Sequence, residues 1–258
     1  RALETARRGD EVPALMILTC DNISPGPDDA YVADGFHDAI VNRLGGVSGI
    51  SLLGRETAAW YRENPAPPVE IAAERDLDFI GECSVRKDPS GERLLVTFQL
   101  LNAQGAREWS GDWEGDVATT SLIDIQREIA DQVVDAVGAL LTSEERGRIE
   151  TDPTQSLEAY DFYLLGRDRL VPRSSQGIRA AIGFYHDAIQ RDSTFAEAWA
   201  GIAMAWAILP FFEELPSGEA YIEGKNAALR ALELNDDLGE PHAALGALAL
   251  YHEWDFLS

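Results

Sequence analysis

A change of pattern near residues 151–153 limits most strongly how this chain can fold. Before it, short apolar runs alternate with helical patterns and turn residues; after it, strand signals stop and Ala- and Leu-rich helical segments repeat. Small residues that suit close helix crossing recur at Gly166, Ala203 and Gly246. We therefore predict an α+β chain, with an N-terminal α/β domain followed by an all-α repeat domain.

The first part of the chain carries the signals of a mixed β-sheet. The predicted strands cover residues 12–20, 50–53, 79–86 and 94–100, with a fifth around Trp109 and Trp113. The fourth is the clearest, because apolar residues from Leu94 to Leu100 alternate with Leu95, Thr97 and Gln99. Predicted helices cover residues 31–44, residues 69–74, and a long segment with apolar residues Leu122, Ile125, Ile129, Val133, Val137 and Leu140.

The second part is predicted to hold two full helix pairs and a truncated third, which begins at His242 and leads us to expect that the native chain continues. The resulting domain prediction has a starting segment at residues 1–11, an α/β domain at 12–150 and helical repeats at 151–258.

The charge balance excludes several classes of partner. Asp and Glu total 45 against 21 Lys and Arg, a net charge of −24. Nucleic acids and anionic membrane surfaces both need an excess of basic residues, so neither is expected to bind this segment. No apolar run is long enough to span a bilayer, and membrane attachment is expected only through a segment outside this sequence.

Signals for catalysis or metal binding are weak. The four histidines are scattered, and none of the common hydrolase, metalloprotease or nucleotide-binding motifs occurs. His242 is interpreted as a packing residue. Glu213 and Glu214 have apolar neighbours, which would suit a carboxyl group with a raised pKa, although a packing loop is the simpler interpretation. We expect no cofactor, no metal and no enzymatic activity.

Several segments, in order, resemble a known bacterial module. They are residues 17–24, the Ala33-Asp34-Gly35 helix start, residues 82–86, residues 99–102 and Trp109. Together they resemble a TolB-N-terminal-like α/β domain fused to tetratricopeptide repeats, as in CadC-like transcription regulators and adenylate-cyclase-associated proteins. The resemblance implies a non-catalytic sensory or scaffolding part of a regulator, with an effector domain upstream.

The two cysteines depart from the pattern of that family. Cys20 stands within a pair that is usually Pro-Phe, and Cys83 stands where Gly is usual. If their strands are neighbours, the two thiols could form a disulfide, which would indicate an oxidising compartment. The alternative is two buried, inert thiols.

The resemblance also implies a partner-binding groove lined by the first helix of each repeat. The positions that face inward are Tyr160, Tyr163, Arg167, Glu197, Met204, Ile208, Glu240 and Tyr251. The alternative is that these residues pack against the α/β domain or a further repeat. Phe211, Phe212, Glu213 and Glu214 are predicted to form a domain junction.

The functional expectation is a sensory and protein-interaction module of a bacterial signalling or transcription regulator. Its expected partner is a protein or peptide, and a homodimer is a further expectation. The alternative is a sensor that binds a cationic metabolite at the acidic junction. The family layout and the cysteine pair favour an extracytoplasmic location, with a cytoplasmic one as the alternative.

Overall fold

The computed structural model describes residues 12–24, 30–90, 92–116, 122–215 and 218–253. The predicted starting segment, residues 1–11, lies outside this part of the chain. The chain divides into two compact units, Arg1–Thr151 and Asp152–Ser258.

The first unit combines a sheet with five helices among its described residues. Its strands are β1 (Ala14–Ile17), β2 (Asp21–Asn22), β3 (Ser51–Leu52), β4 (Phe79–Lys87), β5 (Arg93–Asn102) and β6 (Arg107–Asp116). Its helices are α1 (Ala30–Leu44), α2 (Arg55–Glu63), α3 (Pro68–Arg75), α4 (Leu122–Val137) and α5 (Ser143–Glu150).

The sheet is mixed, with the order β3-β1-β4-β5-β6 and with β2 also paired to β4. β1 runs parallel to β3 and β4, whereas β4, β5 and β6 are antiparallel neighbours. Short turns can join β4 to β5 and β5 to β6, while the parallel strands need the helical crossovers that α1, α2 and α3 provide. The predicted α+β class is therefore confirmed.

Two apolar cores flank the sheet. The larger contains residues of α1 and α4 together with the β5 face formed by Leu94, Val96, Phe98 and Leu100, as the alternation predicts. The smaller joins Met16 and Ile80 of the sheet to Tyr61 of α2 and Ile71 of α3. Each core removes apolar surface from water, which is the main driving force for folding.

One helix prediction in this unit is wrong at its end, and one helix was not predicted. The apolar spacing places Leu140 on the buried face of the long helix, but α4 ends at Val137 and Leu140 is 88% exposed. Gly138 follows the helix with a φ of 71°, the left-handed conformation that commonly ends helices. Helix α2 is absent from the sequence prediction, because only Ala58 and Tyr61 of its nine residues are buried.

The first strand, β1, is shorter than the predicted residues 12–20, because residues 18–20 form an irregular segment between β1 and β2. Ile17 pairs with Gly81 and Asp21 pairs with Ser84, so three residues of one chain segment lie beside two of β4. Cys20 ends this connection, with its Cα 4.6 Å from that of Cys83, and the two residues are joined as a disulfide.

The described part of the second unit is helical. Its helices are α6 (Leu157–Leu170), α7 (Ser175–Arg191), α8 (Ala196–Ile208), a short 3₁₀ segment (Leu209–Phe211), α9 (Glu219–Leu234) and α10 (Gly239–Glu253). Each helix packs against the next, and α8 also contacts α6 and α10. Ser156 and Ser174 cap α6 and α7 by accepting backbone N–H groups of the first turn.

Candidate functional site

Charged side chains from three helices act on the hydroxyl of Tyr163. Arg167 lies one turn along α6, Glu197 is near the start of α8, and Glu240 is near the start of α10. Arg167 donates a hydrogen bond of 3.2 Å to the Tyr163 hydroxyl, and both glutamates act electrostatically on that hydroxyl. We call Arg167, Glu197 and Glu240 the charged cluster; all three are partly exposed.

The tyrosines of the predicted groove belong mainly to the packing between helices. Tyr160 and Tyr163 are buried, and both rings lie beside Phe195, with centroids 6.4 and 5.0 Å away. The pKa of Tyr163 is raised to about 12, chiefly by burial; Arg167 opposes the rise, and Glu240 and Glu197 contribute to it. Tyr163 therefore remains a neutral phenol that turns its hydroxyl toward the charged cluster.

The remaining groove residues are distributed along α8 and α10. Met204 and Ile208 are half-buried on α8. The side chain of Tyr251 lies outside the described residues. Their predicted role in partner binding stays a prediction.

The charged cluster offers groups of both charge signs next to the buried ring of Tyr163. A guanidinium group donates in a fixed, planar geometry that suits carboxylates, and two carboxylates accept from basic groups. The guanidinium group of Arg167 lies 6.0 Å from the centroid of the buried Tyr163 ring, within the range of a cation–π contact. Such a surface suits a peptide segment that carries charge next to an apolar side chain.

The predicted junction residues behave differently from one another. Phe211 and Phe212 are 59% and 41% exposed. Glu213 accepts hydrogen bonds from Arg179 and Ser175, and these two bonds, that from Arg179 first, lower its pKa. The lowered pKa contradicts the alternative interpretation of Glu213 as a carboxyl group with a raised pKa.

The partners of Glu213 were missed at the sequence level. Ser175 and Arg179 lie in α7, far from the loop in sequence, and no local pattern links them to a glutamate that follows α8. Arg179 forms an ion pair with Glu213 in this loop, and the alternative function, a cationic metabolite bound at the acidic domain junction, stays a prediction. Glu214 is exposed.

The histidines do not form a site in the described part of the chain. His242 is exposed, so its interpretation as a packing residue is wrong. His37 is buried, and its Nε2 lies 3.1 Å from the carbonyl oxygen of Ile17. Among the residues that the structure describes, no group of three His, Cys, Asp or Glu side chains could hold a metal ion.

Comparison with known proteins gives one informative sequence match. No family model matches the chain. A curated protein named "Putative adenylate cyclase 3" from Rhizobium meliloti (strain 1021) is 24% identical over 193 residues, which is 74% of this chain and 32% of the relative. The chain thus spans about a third of the length of that relative.

Solved structures show only a weak likeness to this chain. Lipoprotein GNA1162 from Neisseria meningitidis covers 50% of this chain and 99% of its own, with 14% identity and a TM-score of 0.35. A PelC dodecamer from Paraburkholderia phytofirmans covers 50% and 89%, with 19% identity and a TM-score of 0.32. At these TM-scores the likeness supports no functional statement.

The match to a cyclase corrects one expectation. The sequence alone led us to expect that the chain is not an enzyme, but the curated relative, with which 74% of this chain aligns, is named as an adenylate cyclase.

Among the described residues, no helix is both long enough and apolar enough to cross a bilayer.

Proposed function

We propose that this chain is a signalling and protein-interaction module of a bacterial adenylate-cyclase-type regulatory protein. The match to the Rhizobium meliloti protein supports the signalling context. The charged cluster supports the interaction role and is the observation that carries the proposal, because Arg167 contacts the Tyr163 hydroxyl and two glutamates from separate helices, Glu197 and Glu240, act on the same hydroxyl.

The repeat architecture belongs to this proposal. We propose that α6 and α7, α8 and α9, and α10 are successive tetratricopeptide-like units attached to a TolB-N-terminal-like domain. The sequential packing of the helices supports this arrangement, since solenoids place the first helix of each unit side by side on one face. The contacts that α8 makes with α6 and α10 agree with it.

The expected partner is a peptide segment of another protein with a basic side chain beside an apolar one. Two carboxylates stand against one guanidinium in the charged cluster, so its net charge is negative. Partly exposed Met204 and Ile208 on α8 provide adaptable apolar contacts farther along the same helix.

We further propose an extracytoplasmic location. The disulfide between Cys20 and Cys83 supports it, because such bonds persist in oxidising compartments and are rare in the cytosol. A test is to block free thiols in intact cells with maleimide before lysis. We expect Cys20 and Cys83 to react with maleimide only after the protein has been denatured and reduced. Reaction of either cysteine with maleimide in denatured protein without reductant would contradict the location.

The interaction proposal is tested by peptide selection. Random peptides displayed on phage are selected on the intact chain, and the enriched peptides are synthesised and measured by fluorescence anisotropy. The double variant Glu197→Gln with Glu240→Gln is expected to bind them about fivefold more weakly, because exposed ion pairs contribute modestly.

The matched control replaces exposed glutamates elsewhere, Glu63→Gln on α2 and Glu223→Gln on α9, and is expected to leave binding unchanged. If the enriched peptides bind both double variants equally well, the charged cluster is not the docking surface. If no peptide is enriched, the interaction role is overturned.

A further inference from the structure

Strand β6 is an edge of the sheet. It is bonded to β5 along its length, and in the described part of the chain no strand pairs with its other side. A ten-residue edge leaves every second backbone N–H and C=O directed outward. Such an edge can accept an additional strand from another chain.

The two faces of β6 have opposite chemical character. Trp109 pairs with Leu100 and Trp113 with Val96, so both tryptophans share the face of the larger core. Their rings lie 6.0 Å apart and remain partly exposed, although Trp113 donates a hydrogen bond of 2.9 Å to Glu128 of α4. On this face of β6, the partly exposed rings of Trp109 and Trp113 therefore leave apolar surface open at the edge of the sheet.

Acidic side chains mark the opposite face. Asp112 pairs with Thr97 and Glu114 with Leu95, on the side of β5 that is turned away from the larger core. Both acidic residues are exposed, and Glu114 forms a 2.8 Å ion pair with Arg93 that is itself open to solvent. A neighbouring strand would place its own side chains directly beside these groups.

We propose that β6 is a docking edge for an extended segment of a partner protein with alternating basic and apolar residues. Its basic side chains lie beside Asp112 and Glu114, and its apolar side chains cover Trp109 and Trp113. The backbone bonds supply affinity, and the alternation fixes which face is which.

Charge selects this occupant over a second copy of the chain. Two β6 strands paired in antiparallel fashion about Gly111 would place Glu114 of each copy opposite Glu108 of the other and the two Asp112 side chains diagonally next to each other, and like charges on adjacent strands are destabilising. A basic strand replaces that repulsion with attraction, and it needs only an extended conformation.

The test uses the intact chain and a fluorescein-labelled peptide of sequence Lys-Val-Lys-Val-Lys-Val-Lys. We expect saturable binding by fluorescence anisotropy at low ionic strength. A peptide with the same side chains but with alternate backbone nitrogens methylated is expected to bind about tenfold more weakly, since it cannot complete the ladder. Equal binding of the methylated peptide would reduce the interaction to non-specific charge attraction and overturn the proposal.

A pair of protein variants tests the assignment to β6. Asp112→Lys with Glu114→Lys is expected to weaken binding of the unmodified peptide about tenfold. The control, Glu63→Lys with Glu223→Lys, makes the same change in net charge away from the edge and should bind within about twofold of wild type. Equal losses of affinity in both variants would overturn the docking proposal, and so would absence of peptide binding. A dimer of the chain that the Asp112→Lys with Glu114→Lys variant weakens would also overturn it, because the occupant of β6 would then be a second copy.

Discussion

At the scale of single residues, the packing of Tyr185 shows how closely the helices of the second unit approach one another. This buried ring on α7 lies against Gly166 of α6 and Gly201 of α8. A Cβ atom at Gly166 would lie 2.5 Å from a ring carbon of Tyr185, and one at Gly201 would lie 2.6 Å from another. Neither the ring nor the helices have room to move in a close-packed interior.

We predict that Gly166→Ala lowers the free energy of unfolding by about 1–3 kcal/mol, because it overpacks the Tyr185 site. Gly183→Ala is the matched control, since Gly183 lies inside α7 and a Cβ there meets nothing within 4 Å. That change is expected to stabilise the helix by about 0.5–1 kcal/mol. Urea unfolding followed by circular dichroism measures both, and equal effects of the two variants would refute this account of Tyr185.

Glu145 gives a second prediction at the residue scale. It completes a capping box with Thr142, and its carboxylate accepts backbone N–H groups of Ser48 and Thr142, each at 2.7 Å. These bonds, that from Ser48 first, lower the pKa of Glu145 from 4.5 to about 2. Its stabilising contribution is therefore complete above pH 4.5 and is lost as the pH falls toward 2.

The variant Glu145→Gln is expected to lose stability at neutral pH and to show a shallower decline of unfolding free energy on acidification. Urea midpoints measured at a series of pH values between about 6 and 3 test this. Glu63→Gln, an exposed change in the same unit, should keep the slope of the wild type. A slope unaffected by Glu145→Gln would show that the carboxylate does not take part in the low-pH loss.

At the scale of elements, the disulfide ties the irregular link between β1 and β2 to the centre of β4. The two cysteines are 63 residues apart in sequence, so the bond closes a long loop. Loop-closure entropy gives about 4 kcal/mol for such a loop, and measured values are commonly about 2–4 kcal/mol.

We predict that dithiothreitol lowers the urea midpoint of the wild type by the equivalent of about 2–4 kcal/mol. The double variant Cys20→Ser with Cys83→Ser should match the reduced wild type and be insensitive to reductant. A wild-type midpoint that does not respond to reductant, after complete reduction has been verified by mass, would mean that the bond does not constrain the unfolded chain.

Elements also show where sequence patterns predict the fold well and where they fail. The alternation in β5 predicted its buried face, because each residue reports its own side of a sheet. The periodicity of α4 did not reveal that Gly138 ends the helix before Leu140, because a left-handed glycine overrides an apolar spacing. For α2, two buried residues are too few to reveal a helical pattern.

At the scale of the whole molecule, sites were harder to predict than elements. Arg167, Glu197 and Glu240 were each proposed as groove positions by resemblance, but their proximity to one hydroxyl depends on how three helices pack. The lowered pKa of Glu213 could not be predicted for the same reason, because its cationic partner, Arg179, comes from another helix. Long-range contacts of this kind leave no local signal in the sequence.

The large negative charge gives a prediction that belongs to the entire chain. With a net charge of −24, self-repulsion opposes the compact state. The ion pairs, such as Arg93–Glu114 at 2.8 Å, are mostly exposed and contribute about 0–1 kcal/mol each. We therefore expect repulsion to dominate and the melting temperature to rise as NaCl increases from about 10 to about 100 mM, over which the screening length shortens from about 30 to about 10 Å.

The neutral pair Arg93→Gln with Glu114→Gln separates the two effects, because it removes an ion pair while leaving the net charge at −24. If overall repulsion governs the response, this variant keeps the same rise of melting temperature with salt as the wild type. A fall in the wild type over the same range would mean that the exposed ion pairs outweigh the repulsion. In that case the arrangement of charges on each surface, rather than their sum, would control stability.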